Sequence, residues 1–181
     1  MLAFGSEITK KLLSYMMLHT DESLYLNEIV RKFNFDKRNL VKKLKELEKE
    51  NLLRKEKRGS EVYYSLNRNF PLYDEYKKII LKTIGIESQL KAILLGLPGI
   101  KKAYIIGSYA KNKMDSFSDI DVLVIGDADT IELQKRIAAL QKNIRRDINL
   151  INFSMAEYEK KKKNNDPFIS EVSAGKKIKL I

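Results

Sequence analysis

Hydrophobic positions along the first half of the chain fall at helical spacing. Ile8, Leu12, Tyr15 and Met16 share one face of a helix expected over residues 6–19, with Ser6 as its N-cap. A short second helix starts at Tyr25 or Leu26 and reaches Phe33, turning Ile29, Val30 and Phe33 inward, and Phe35 closes the turn that follows. Asp36 caps a third helix whose inner face is Leu40, Leu44 and Leu47, and Asn51 ends it in a left-handed conformation. The period then changes to two. Residues 53–57 and 62–66 read as strands around the turn Lys57-Arg58-Gly59-Ser60, with Val62, Tyr64 and Leu66 on one face. Pro71 opens a further helix through Tyr73, Tyr76, Ile79, Ile80 and Ile84, which Gly85 ends. A shorter helix over 87–95 is closed by Gly96, Pro98 and Gly99.

Strand and helix signals alternate in the remainder. Residues 102–106 and 120–125 read as buried strands, 130–143 as a helix and 148–153 as a third strand. Ser154 caps a helix that carries Glu157 and the lysines 160–163, whose run reads as a solvated face, and residues 177–181 form a last strand. The pattern thus divides into residues 1–68, a stretch of linker or dimerisation helices over 69–98, and a second domain over 99–181.

Charge sharpens the picture of the first domain. The chain carries a formal net charge of +11, which points to an anionic partner. The N-terminal excess is concentrated in residues 31–58, where 12 Lys/Arg stand against 5 Asp/Glu. Cysteine is absent, which excludes disulfide frameworks, thiol catalysis and zinc-thiolate sites, so any metal would be held by oxygen. No run of about eighteen apolar residues and no leader-like series occurs, so a cytoplasmic protein outside the membrane is expected. The single histidine, His19, reads as a helix-end residue.

Three helices followed by a basic hairpin is the order of a winged helix-turn-helix. The segment FDKRNLVKKLKELEKENLLRKEKRGSEVYYSL resembles the recognition helix and wing of that family. The resemblance implies DNA as a partner, contacted by Lys37, Arg38, Lys42, Lys45, Lys57 and Arg58, and a homodimer paired through the helix after Pro71.

The candidate chemistry lies in the second domain. Gly107-Ser108 follows a strand, and after ten intervening residues Asp119-Ile120-Asp121 enters the next one. Strand side chains two apart project from the same face, so Asp119 and Asp121 stand together while Ile120 and Val122 turn to the core. Paired carboxylates repel unless a cation lies between them, which makes the pair a natural Mg²⁺ site. Gly107 permits close backbone approach to a phosphate, and Ser108 adds a hydroxyl at the start of a helix expected to begin near Tyr109.

The stretch GSYAKNKMDSFSDIDVLVIG resembles the signature of the nucleotidyltransferase superfamily that includes DNA polymerase beta and the minimal nucleotidyltransferases. That resemblance implies an α+β fold with a mixed sheet flanked by helices, two Mg²⁺ ions and an NTP donor. The implied reaction moves a nucleoside monophosphate to a hydroxyl acceptor such as a protein. It also implies that Gly107 and Ser108 hold the triphosphate and that Asp119 and Asp121 ligate metal. Two positions depart from the family pattern. Lys111-Asn112 stands where an Arg-Gly pair is common, leaving Lys111 as a point charge toward phosphate. The third family carboxylate has Asn149 in its place, and Asp147, on the same strand face, is the substitute candidate. A subset of such domains resembles antitoxins that modify a HEPN-type helical partner. The competing function is a DNA-binding regulator whose second domain binds nucleotide or a partner without catalysis.

Overall fold

The computed structural model describes residues 5–115 and 118–181 and divides into two compact units, Met1–Ile86 and Glu87–Ile181. Ser116 and Phe117, inside the glycine-serine and aspartate motif, lie outside the described residues.

The first unit runs α1 (Glu7–Leu18), β1 (Leu24–Tyr25), α2 (Leu26–Phe33), α3 (Lys37–Lys49), β2 (Leu53–Arg58), β3 (Glu61–Leu66) and α4 (Tyr73–Thr83). Caps set its helix ends. The Ser6 hydroxyl accepts from the backbone N–H of Thr9, and the Asp36 carboxylate accepts from that of Asn39. Asn34 and Asn51 take left-handed φ angles of 54° and 59°, which asparagine tolerates, and so turn the chain out of α2 and α3. Leu12, Leu13, Met16, Ile29, Leu40, Leu44, Leu47 and Leu53 are fully buried, so the helical faces drawn from the spacing are the packed ones.

The hairpin is tighter than the sequence pattern suggests. Arg58 pairs with Glu61, so only Gly59 and Ser60 make the turn, and the strands extend to Arg58 and from Glu61. Gly59 has φ +61° and Ser60 does not have a positive φ, the pattern of a type II′ turn, whose twist matches the strands it joins. A two-residue strand, β1, pairs antiparallel with β3 to complete the order β1-β3-β2. It is too short to leave a period in the sequence. α4 packs on α1, where the Ser14 hydroxyl donates to the Ile84 carbonyl at 3.1 Å. His19 stacks on Tyr15 at 4.1 Å, and the Tyr15 hydroxyl donates to Glu22, so the histidine serves the helix end.

Helix α5 (Ile86–Leu95) begins at the division between units. The second unit continues with β4 (Ile100–Ile105), α6 (Gly107–Ala110), β5 (Ile120–Gly126), α7 (Thr130–Ile144), β6 (Ile148–Phe153), α8 (Met155–Lys163), α9 (Pro167–Ala174) and β7 (Ile178–Lys179). The sheet order is β6-β5-β4-β7; β5 and β6 are parallel and the other pairs antiparallel, giving a mixed sheet with helices against it. β5 is buried on both faces from Val122 to Gly126, which explains its unbroken apolar run. Ile106, Leu123 and Ile125 form a cluster covered by Met155, Tyr158, Phe168 and Val172 from α8 and α9. Helix α9 went unforeseen, although Asp166 followed by Pro167 is a sound helix start: the Asp166 carboxylate caps Ile169. α8 begins with a full capping box between Ser154 and Glu157. Among the described residues, no helix is long and apolar enough to cross a membrane.

Candidate active site

The glycine-serine turn and the aspartate strand are packed against each other. β4 and β5 are hydrogen-bonded neighbours, and the ladder extends to Ile106, whose N–H donates to the Asp121 carbonyl at 2.9 Å. At the next residue the chain turns with φ +69°, and a Cβ placed on Gly107 would lie 2.2 Å from Oδ2 of Asp121. Only glycine leaves room for that carboxylate. Helix α6 starts at Gly107, two residues before the start expected near Tyr109, which places Ser108 in its first turn. The buried Tyr109 donates from its hydroxyl to Glu87 at 3.2 Å and ties the short helix to α5. Burial, then the charge of Glu87, pushes the Tyr109 phenol well above its usual range, so it stays a donor.

Asp121 is half-buried and Asp119 is exposed, both at the entry of β5, while Ile120 and Val122 are fully buried on the opposite face. In the parallel register Asp121 faces Asn149, whose amide Nδ2 donates to Oδ1 of Asp121 at 2.9 Å. Asp147 lies just before β6, and its carbonyl accepts from the Ile120 N–H at 3.0 Å. Its side chain accepts from Gln141 Nε2 at 3.3 Å. Among the described residues, no group of three or more histidine, cysteine, aspartate or glutamate side chains comes together as a metal cage. The strand pair therefore brings the Asp121 carboxylate against the Asn149 amide, with Asp119 one residue before β5, and Asp147 forms no three-carboxylate group with these acids.

The donor set fits a hard divalent cation. Its acids offer carboxylate oxygens, and the Gly107 cradle keeps a side chain from filling the space against Asp121. Asp119 and Asp121 are the residues that would hold such an ion. Lys111 caps the C-terminus of α6, is exposed, and sits 3.9 Å from Glu171, so its ammonium has a carboxylate neighbour as well as the adjacent turn.

One residue at this edge was missed by the sequence pattern. Arg146 is 7% exposed, and its Nη1 donates at 2.9 Å to the carbonyls of both Asp115 and Ser118. Nothing in the sequence separates it from Arg145, which is exposed and ends α7 with a left-handed φ of 53°.

In the first unit Lys37, Arg38, Lys42 and Lys45 are exposed on α3. Lys57 and Arg58 lie on opposite faces of the hairpin, as consecutive strand residues must. Lys57 shares the face of Leu53 and Tyr64, opposite Val62. Arg58 lies on the other face, where it is tied to Glu56 at 2.7 Å, donates to the Ser23 hydroxyl at 3.2 Å and covers the Tyr63 ring.

Residues 88–173, just under half of the chain, match the family model described as Polymerase beta, Nucleotidyltransferase, so the second unit carries a polymerase beta-like nucleotidyltransferase domain. No curated protein sequence matches the chain. Among solved structures, similarity is found to a toxin-antitoxin complex with AMP-PNP, at 18% identity and a TM-score of 0.39, covering 52% of this chain and 72% of that one. A mutant form of the toxin-antitoxin MntA-HpeT is similar at 16% identity and a TM-score of 0.40, covering 53% and 73%. A Sulfolobus solfataricus protein described as a nucleotidyltransferase is similar at 18% identity and a TM-score of 0.30, covering 51% and 73%.

Proposed function

We propose that the second unit binds an NTP with Mg²⁺ between the Gly107-Ser108 turn and the Asp119/Asp121 edge, and transfers its nucleoside monophosphate to a hydroxyl acceptor. The observation that carries this is the contact of Gly107 with the Asp121 carboxylate, which makes the phosphate turn and the diacid one site. Gly107 and Ser108 hold the triphosphate, Lys111 adds a positive charge beside it, and Asp119 and Asp121 ligate the metal. Two bound Mg²⁺ ions would neutralise charge on the phosphates and on the reacting oxygens. In the transfer, the acceptor oxygen bonds to the α-phosphorus as the bond to the bridging oxygen breaks. Pyrophosphate leaves, and the acceptor proton passes to solvent, since Asp147, bonded to Gln141, does not form a three-carboxylate group with the diacid. By the family resemblance, the acceptor is a hydroxyl of a HEPN-type helical protein partner.

The first unit is read as a winged helix-turn-helix that binds DNA through Lys37, Arg38, Lys42 and Lys45 of α3 and Lys57 of the hairpin. Arg58, held on the other face, has a lesser part. Leu72 and Ile79, 50% and 46% exposed at the start of and along α4, supply the homodimer surface.

Asn149 favours a second reading, nucleotide binding without transfer in a DNA-binding regulator, because the third carboxylate of a two-metal site is an amide here. Incubation with labelled NTPs, Mg²⁺ and a candidate partner separates the two. Label transfer that disappears in Asp121→Asn supports the enzyme. Nucleotide bound without transfer supports the regulator, and no nucleotide binding at all defeats both.

A further inference from the structure

A buried arginine needs partners for its donors, and Nη1 of Arg146 finds two on the segment that leads to Asp119. The left-handed turn at Arg145 ends α7, and Arg146 follows it into the interior. Its guanidinium collects the carbonyls of Asp115 and Ser118, each at 2.9 Å. The same two residues are joined by their own side chains: Ser118 Oγ donates to Asp115 Oδ1 at 2.8 Å and accepts from the Asp115 N–H at 3.1 Å. One residue after Arg146, the Asp147 carbonyl accepts from the Ile120 N–H. The dipeptide Arg146-Asp147 therefore holds the residue on each side of Asp119: Ser118 through its carbonyl and Ile120 through its amide. Asp119 is exposed, and the backbone on either side of it is held by this bracket.

We infer that Arg146 is a positioning residue, which fixes the Asp119 carboxylate for divalent-cation binding by clamping the backbone on its N-terminal side. The inference rests on the metal-binding reading of Asp119 and Asp121. Its sign distinguishes it from the other roles a buried cation can have. If Arg146 acted through charge, its removal would strengthen binding of a cation nearby. If it only supported the fold, its removal would lower the melting temperature and leave affinity in the folded protein unchanged. A clamp predicts weaker binding, because a ligand released from its geometry binds metal more poorly, typically by about 10- to 100-fold when an outer support is lost.

The test uses the full chain, Mn²⁺ as the probe, and four variants followed by calorimetry and by the paramagnetic resonance of free Mn²⁺. Arg146→Met removes charge and clamp; Arg146→Lys keeps the charge but has no planar fork to span two carbonyls. Arg145→Asn removes the neighbouring exposed charge with a residue that accepts the left-handed φ, and Asp119→Asn marks the loss of the ligand itself. Thermal melts and amide exchange of Ile120 against Val124 accompany each. The expected result is Mn²⁺ affinity lowered about tenfold or more in Arg146→Met and partly in Arg146→Lys, faster exchange at Ile120 alone, and no change in Arg145→Asn. Should Arg146→Met fail to fold, Arg146→Lys decides by the same readouts. Unchanged or stronger Mn²⁺ binding in the folded Arg146 variants, beside a loss in Asp119→Asn, overturns the clamp alone. Absence of Mn²⁺ binding by the unaltered chain overturns the metal-site reading and the clamp with it.

Discussion

Asn149 donates from its side-chain amide to the Asp121 carboxylate at 2.9 Å, across neighbouring positions of the parallel strands β5 and β6. The contact satisfies one oxygen of a half-buried acid. It also occupies the position from which a third carboxylate would act in the family pattern.

Replacing Asn149 by aspartate exchanges that hydrogen bond for a like-charge contact. The repulsion is expected to destabilise the metal-free protein by about 1 kcal/mol at this partly exposed edge. Mg²⁺ should reverse the sign of the effect. Melting temperatures of Asn149→Asp and the parent with and without Mg²⁺ check it: the variant melts lower without the ion and gains more from adding it. If transfer activity is limited by the missing acid, the same variant also gains turnover.

Gly107→Ala introduces a methyl group 2.2 Å from an oxygen of Asp121 at a φ of +69°. Both faults act together, and a loss of roughly 1–3 kcal/mol in stability is expected. Nucleotide affinity should fall further than stability explains, because the turn must move off the carboxylate. Urea unfolding and calorimetry with Mg-ATP, measured on the same preparation, separate the two effects.

For the first unit, exchanging Lys37, Arg38, Lys42 and Lys45 for glutamine one at a time should weaken DNA binding across all sequences and flatten its salt dependence. Each lost phosphate contact lowers the slope of log affinity against log salt by about 0.9. Arg58→Gln should change that slope least, since its guanidinium is already engaged by Glu56 and Ser23. Mobility-shift titrations at several salt concentrations give the slopes, and an Arg58 effect as large as those on α3 would contradict the separation of the hairpin faces.

The capping box of α8 gives a pH signature. The Ser154 backbone N–H, then its hydroxyl, holds the Glu157 carboxyl below the ordinary glutamate range. A folded-state value below the unfolded one means that the box favours the fold above the ordinary glutamate range. The contribution is lost as pH falls through the folded value. An NMR titration should find Glu157 among the lowest glutamates, with Ser154→Ala moving it upward.

Long-period features of this protein were legible before any coordinates. The faces of α1 and α3, the caps at Ser6, Asp36 and Ser154, and β6 at residues 148–153 all follow from spacing and local chemistry, because each depends on near neighbours in sequence. The two-residue β1 carries too few positions to show a period, and α9 was overlooked despite its Asp-Pro start. At the candidate site, strand alternation predicts that Ile120 and Val122 turn inward, and both are fully buried. It does not predict the bond from Asn149 or the burial of Arg146, because both depend on which strand lies beside β5 and in what register. Arg58 shows a different limit: read as part of the turn, it falls in β2 because the hairpin turns on Gly59 and Ser60 alone, and alternation then sets it on the face opposite Lys57.

Along β5 the face that bears Asp121 changes character within two residues. Leu123 and Ile125 continue it, and both are sealed beneath α8 and α9. Polar character along this face thus ends almost where it begins, at the strand's entry, and the small cavity beyond is walled by Leu123, Ile125, Tyr158 and Val172. A charged group placed against Asp121 would therefore meet apolar walls behind it rather than further polar partners along the strand.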